Sequence, residues 1–150
     1  MTKHLAALAG LFLLGCAGDV DVARGSACGE AAEEQLGCLA EVGFDAVAGL
    51  EVVHVDKASG KDTAVTFTLT GPAEDIDRAL TAAGFDAPPS AGAFAFQSDM
   101  GVLPGDLADI VSASDVWVDP HDVPFTRQYL RGTLEDGSGD EALAVFAFTM

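Results

Sequence analysis

Basic residues are scarce in this chain. Seven Lys and Arg stand against 24 Asp and Glu, for a formal net charge of −17. A surface of that sign repels phosphate backbones and anionic headgroups, which sets nucleic acid aside as a partner. It would favour divalent cations, cationic substrates or solubility in high salt, and a plain solvated acidic surface is the simplest account. Cysteine is sparse too, at three residues, and none has the C-x-x-C spacing of a redox motif. Trp117, Tyr129 and nine Phe are few enough to be consumed by core packing. There is no G-x-S-x-G elbow, no phosphate loop and no dinucleotide fingerprint. Ser59, Ser112 and Ser138 lie in turn-like or ordinary contexts. Neither a catalytic set nor a cofactor is indicated.

What the chain does have begins at its start. Lys3 supplies a short basic segment, and Leu5 to Leu14 then carry no charged or polar side chain. That run is too short for a bilayer core of about 30 Å but fits the apolar region of an export signal. It closes on Leu13, Leu14, Gly15 and Cys16. This order resembles the lipobox of bacterial lipoproteins. The resemblance implies cleavage before Cys16 and a diacylglyceryl thioether on its sulfur, often with N-acylation of the new terminus. Each buried methylene contributes roughly 0.8 kcal/mol, so two acyl chains anchor stably. Ala17 follows the cysteine where Asp would stand in an inner-membrane signal, and this resemblance implies the outer membrane. Loss of Lys3 with residues 1–15 makes the mature chain still more acidic.

The order of parts is then an export signal over residues 1–15, lipidated Cys16 with a small, polar tether to residue 27, and one domain over residues 28–150. Cys28 and Cys38 form a disulfide candidate in an oxidising envelope. Within one continuous helix their ten-residue separation would place them about 15 Å apart. A disulfide needs Cα atoms within roughly 7 Å. Cys28 must therefore sit in a turn ahead of the helix and fold back, or the bond does not form.

Local patterns suggest an α+β domain, an antiparallel sheet of about five strands with two or three helices packed on one face. Helices are expected over Glu30 to Val42 and Ala73 to Ala83, and a weaker third over Pro104 to Ser114, burying Leu107, Ile110 and Val111. Strands are expected over Leu50 to Asp56 and Thr63 to Thr70, joined by a turn at Lys57 to Asp62. In the first, Val53 and Val55 read as the apolar partners. Further strands are expected over Ala93 to Gln97, Val116 to Val118, Phe125 to Leu134 and Glu141 to Thr149. The last is apolar on both faces and belongs inside a sheet.

One phrase repeats. Leu39 to Ala46 and Leu80 to Ala87 share L-x-x-x-G-F-D-A. A duplicated unit with a shared ligand site is one reading. A recurring helix-to-strand turn, with Gly as cap and Phe tucked beneath it, is the favoured one. The phrase resembles helix endings in ferredoxin-like modules, including the peptidoglycan-binding SPOR domains of envelope proteins.

The most chemical-looking cluster is Asp115, Asp119, His121 and Asp122, carboxylates and an imidazole that suit a divalent metal. His54 and Asp56 could complete it. A solvated loop with ordinary turn chemistry is the plainer reading. By subtraction the sequence points to a non-enzymatic envelope module, held to the membrane by its lipid, whose partner is an envelope protein or peptidoglycan. A metal-binding protein or metal-assisted enzyme, and a purely structural lipoprotein, are the alternatives.

Overall fold

A computed structural model of the chain describes residues 28–93 and 103–149. Eight elements follow in order: α1 (Ala32–Ala40), β1 (Glu51–Ser59), β2 (Thr63–Gly71), α2 (Ala73–Ala82), β3 (Ser90–Ala91), β4 (Leu107–Val118), β5 (Pro124–Leu134) and β6 (Glu141–Phe148). The strands form one six-stranded sheet in the order β1-β2-β6-β5-β4-β3. Every neighbouring pair is antiparallel.

The apolar alternation of β2 explains its place. Val65, Phe67 and Leu69 are fully buried, and their partners on β6 are Ala147, Val145 and Leu143. Register carries one row of side chains across five strands: Val55, Phe67, Val145, Tyr129 and Ala113. The same apolar cluster takes Leu39 from α1 and Ile76 and Leu80 from α2. β6 runs between β2 and β5, as its two-sided apolar sequence demands.

Both expected hairpins form, with a tighter first turn. Lys57 pairs with Val65 and Ser59 with Thr63, so the turn shrinks to Gly60, Lys61 and Asp62. A register shift between Val52 and His54 changes the faces of β1. Val52 and Val55 pack against the core cluster, and Val53 is left 41% exposed. The expectation that Val53 and Val55 would be partners fails for that reason.

The expected third helix is replaced by a strand. Leu107 to Ser114 belong to β4, which continues without a break through Val116, Trp117 and Val118. A bulge between Ala108 and Val111 puts Asp109 at φ 51°. One inserted residue moves Ile110 and Val111 out of simple alternation, and the apolar spacing then mimics a helix. β3 covers only Ser90 and Ala91. The apolar stretch expected as a strand up to Gln97 lies outside the described residues from Phe94 onward, as do Cys16 and the segments expected to be an export signal and a tether. Among the described residues no helix is long and apolar enough to cross a membrane.

Cys28 and Cys38 are joined as a disulfide, with Cα atoms 5.8 Å apart. Cys28 precedes α1 in a turn, so the chain doubles back as the spacing required. Closing a loop of this size stabilises the fold by roughly 2.5 kcal/mol through the unfolded state.

Candidate functional site

The repeated phrase is where the two helices end. Phe44 N–H donates to Leu39 and Gly43 N–H to Ala40. Phe85 N–H donates to Leu80 and Gly84 N–H to Thr81 in the same pattern. Both are Schellman caps, with glycine in the left-handed conformation at φ 89° and φ 65°. L-x-x-x-G-F is therefore a helix-stop signal used twice.

The two caps converge on one side chain. Arg127 of β5 is completely buried. Its Nη1 donates to the carbonyls of Val42, at 3.1 Å, and Ala83, at 3.0 Å. These are the residues just before the two cap glycines, at the negative ends of both helices. Nε and Nη2 donate to the Asp115 carboxylate across the β4–β5 ladder, Nε at 2.9 Å. The guanidinium carbon lies 5.8, 4.9 and 5.4 Å from the ring centroids of Phe44, Phe85 and Trp117. Three π-faces, two helix ends and a carboxylate together offset the cost of dehydrating one cation. The point shared by the two copies is thus filled by a side chain of the protein itself, in keeping with a structural role for the repeat.

Arg131, four residues further along β5, binds Asp77 at 2.5 Å and also pairs with Glu141. Burial opposes its charge, but the bonds to Glu141 and Asp77 outweigh it and hold its pKa above the ordinary value. Asp136, in the β5–β6 turn, accepts from the Ser138 hydroxyl and amide, which pull its pKa below the usual carboxylate value.

Two members of the expected metal cluster, Asp115 and Asp119, are engaged by other bonds. Asp115 is held by Arg127 on the core face of the sheet. Asp119 Oδ1 accepts from the backbone N–H of His121 and of Val123, both at 2.8 Å. That bond pattern closes the loop at φ 63° of Asp122. His54 and Asp56 pair with Thr68 and Thr66 and project from the face opposite Val55, away from the face that carries Asp115. Among the described residues no three His, Cys, Asp or Glu side chains gather where a metal ion could be held. Asp119 and His121 instead line a shallow cavity of about 460 Å³ with Ala40, Glu41, Pro120 and Phe125.

A second cavity was not signalled by any motif. Phe146 and Phe148 alternate along β6 with Val145 and Ala147, so they project from the face opposite the core cluster. Their rings stack with centroids 5.0 Å apart and planes at 28°. With Ala64, Gln128, Thr149, Thr63 and Asp62 they line a groove of about 360 Å³. Among the described residues Gln128 Oε1 is buried and has no hydrogen-bond partner. Thr149 Oγ1 accepts from Thr63 N–H at 2.9 Å and fixes one end of the groove. The two-sided apolarity of the final strand was its only trace in the sequence, and that reads equally as burial.

Comparison with known protein families, with curated proteins and with solved structures finds no match.

Proposed function

We propose that this protein is a lipid-anchored component of a bacterial cell envelope whose domain acts as a non-enzymatic binding module. Cys16 carries the lipid, the polar stretch to residue 27 is a leash, and the acidic domain stands off from anionic headgroups. The outer membrane is the proposed address. In this reading the two helices lie together over one face of the sheet, and the other face is left for recognition.

The observation that carries the binding role is how the charged side chains are used. The candidate acids Asp115 and Asp119 are bonded to Arg127 and to backbone amides. Four of the seven Lys and Arg residues, Lys57, Arg78, Arg127 and Arg131, are held in ion pairs. The groove at Phe146 and Phe148, by contrast, has an apolar floor, with Gln128 and Thr149 also in its lining. Such a combination suits binding better than bond-breaking.

Metabolic labelling with radioactive palmitate tests the anchor. Label should enter the wild-type chain and be lost in Cys16→Ala. In-cell cross-linking tests the module: a discrete adduct that vanishes when the groove is altered supports it. An absence of any adduct favours a purely structural lipoprotein.

A further inference from the structure

We infer that the outer edge of β4, at Ser114, Val116 and Val118, is a strand-addition site for an extended basic peptide segment with β-branched residues at alternate positions. The site lies at the margin of the sheet, beyond the groove, and does not depend on it. Backbone direction comes first. Gly92 N–H donates to Ile110 beside β3, and Asp119 N–H donates to Val123 where β4 turns towards β5. In an antiparallel strand each residue turns both backbone groups to one side, and successive residues alternate. Ser112, Ser114, Val116 and Val118 therefore point theirs outward, while Ala113, Asp115 and Trp117 point theirs to β5. β3 uses the outward groups only as far as Ser112. Carried on, its register would set Pro88 against Ser114, and proline has no N–H to give. Among the described residues no strand pairs with this side of β4 beyond Ser112.

The other edge of the sheet is guarded, and this one is not. β1 carries a bulge between Val52 and His54 and the charges of Glu51, Asp56 and Lys57, all of which deter an added strand. From Val111 to Val118 the pairing of β4 is regular, and its one charge, Asp115, is turned inward onto Arg127. Val116 is 68% exposed and Val118 53%. Their side chains leave the face opposite Asp115, in a row that runs from Val116 through Thr126 to Phe148. An added strand extends that row with its own apolar side chains. Charge then selects the occupant. Asp119 and Asp122 follow directly on Val118. Lys57, Arg78, Arg127 and Arg131 are held in ion pairs, and Lys61 lies in the β1–β2 turn, on the far side of the sheet. A second copy would bring a further −17 to this edge, whereas a basic segment is drawn to it.

The test is a titration of the full chain in dodecylmaltoside micelles with the peptide acetyl-Lys-Lys-Val-Thr-Val-Thr-amide. It is followed by the emission of Trp117, the single tryptophan, which stands between the two exposed valines. Laid antiparallel, the peptide sets its valines beside Val118 and Val116 and its lysines beside the Asp119 to Asp122 turn. The expected result is a saturable one-to-one change with a dissociation constant below about 1 mM. Glutamates in place of both lysines should abolish it. N-methylation of the second valine, whose N–H bonds the Val116 carbonyl, should weaken it about tenfold. Val116→Lys places a like charge on the edge and should weaken it about tenfold. Val116→Pro removes an outward N–H and no bond to β5, and should do the same. If that variant unfolds earlier than wild type, Val116→Lys carries the comparison. Unchanged emission, equal binding of the glutamate or N-methylated peptide, or affinity unmoved in Val116→Lys overturns the inference. Dimers seen by light scattering that Val116→Lys dissolves assign the edge to a second copy and overturn it too. The groove reading is tested separately by the in-cell adduct and survives either failure.

Discussion

Arg127 and Asp115 stand opposite one another in the β4–β5 register, and the guanidinium grips the carboxylate through Nε and Nη2. The pair is set beneath the ends of both helices, whose last carbonyls Arg127 also binds. In a chain so poor in cations, one of them is placed where two helix dipoles, three aromatic rings and an acid meet.

Removing one partner should be worse than its hydrogen bonds alone suggest. Asp115→Ala leaves a buried guanidinium without its counter-ion, and the expected loss is about 3–5 kcal/mol in urea unfolding. Arg127→Lys keeps the charge but not the fork that reaches the acid and two carbonyls, and should lose about 2 kcal/mol or more. If both variants unfold at the wild-type midpoint, the clasp does not hold the fold together.

The two copies of the repeat offer an internal control. At Gly84 an added Cβ would meet nothing within 4 Å, so Gly84→Ala carries only the left-handed backbone penalty of about 1–2 kcal/mol. At Gly43 the same Cβ would lie 2.9 Å from Arg127 Nη1 and 3.0 Å from the Trp117 ring. Gly43→Ala adds overpacking of about 1–3 kcal/mol. Thermal unfolding of the two variants should rank Gly43→Ala clearly the lower, and equal melting temperatures would refute the convergence on Arg127.

Tyr129 is the single tyrosine, so its titration can be followed directly by absorbance near 295 nm. Burial raises its pKa above 10.0; Arg131 opposes this and Asp77 reinforces it. A raised folded-state value means that the native protein holds the proton more tightly than the unfolded chain. The stability from this group is complete below pH 10 and is lost as the pH climbs through the folded value. Tyr129→Phe should flatten that alkaline decline. A phenol titrating at or below pH 10 in the folded protein would contradict its burial.

Deletion of Ala144 to Met150 removes most of β6, the strand that bridges β2 and β5. The product should be insoluble or rapidly cut by protease. A soluble, resistant product would count against the central place of that strand.

Much of this fold was legible from spacing. Val65, Phe67 and Leu69 alternate cleanly, and α2 displays Ile76, Ala79 and Leu80 on one side, so both were readable. Helix rise showed that a bond between Cys28 and Cys38 needs Cys28 in a turn ahead of the helix, and left open whether the bond forms. β4 was not, because the bulge at Asp109 shifts its apolar positions into a helix-like period. Val53 misled through the same kind of slip in β1. Asp115, Asp119, His121 and Asp122 are close in sequence, yet strand pairing gives Asp115 to Arg127 and turn formation keeps Asp119 for the backbone. Arg127 and Gln128 have no local signature. What they do depends on partners brought from α1, α2, β4 and β6 by long-range pairing.

The anchor is the claim on which the functional account turns, and the mass of the N-terminal peptide tests it most directly. Produced in a bacterium with a lipoprotein pathway, the mature chain should begin at Cys16. That residue should carry a diacylglyceryl group, with Cys28 and Cys38 oxidised to one disulfide. A chain that keeps residues 1–15, or begins at an unmodified Cys16, would contradict it.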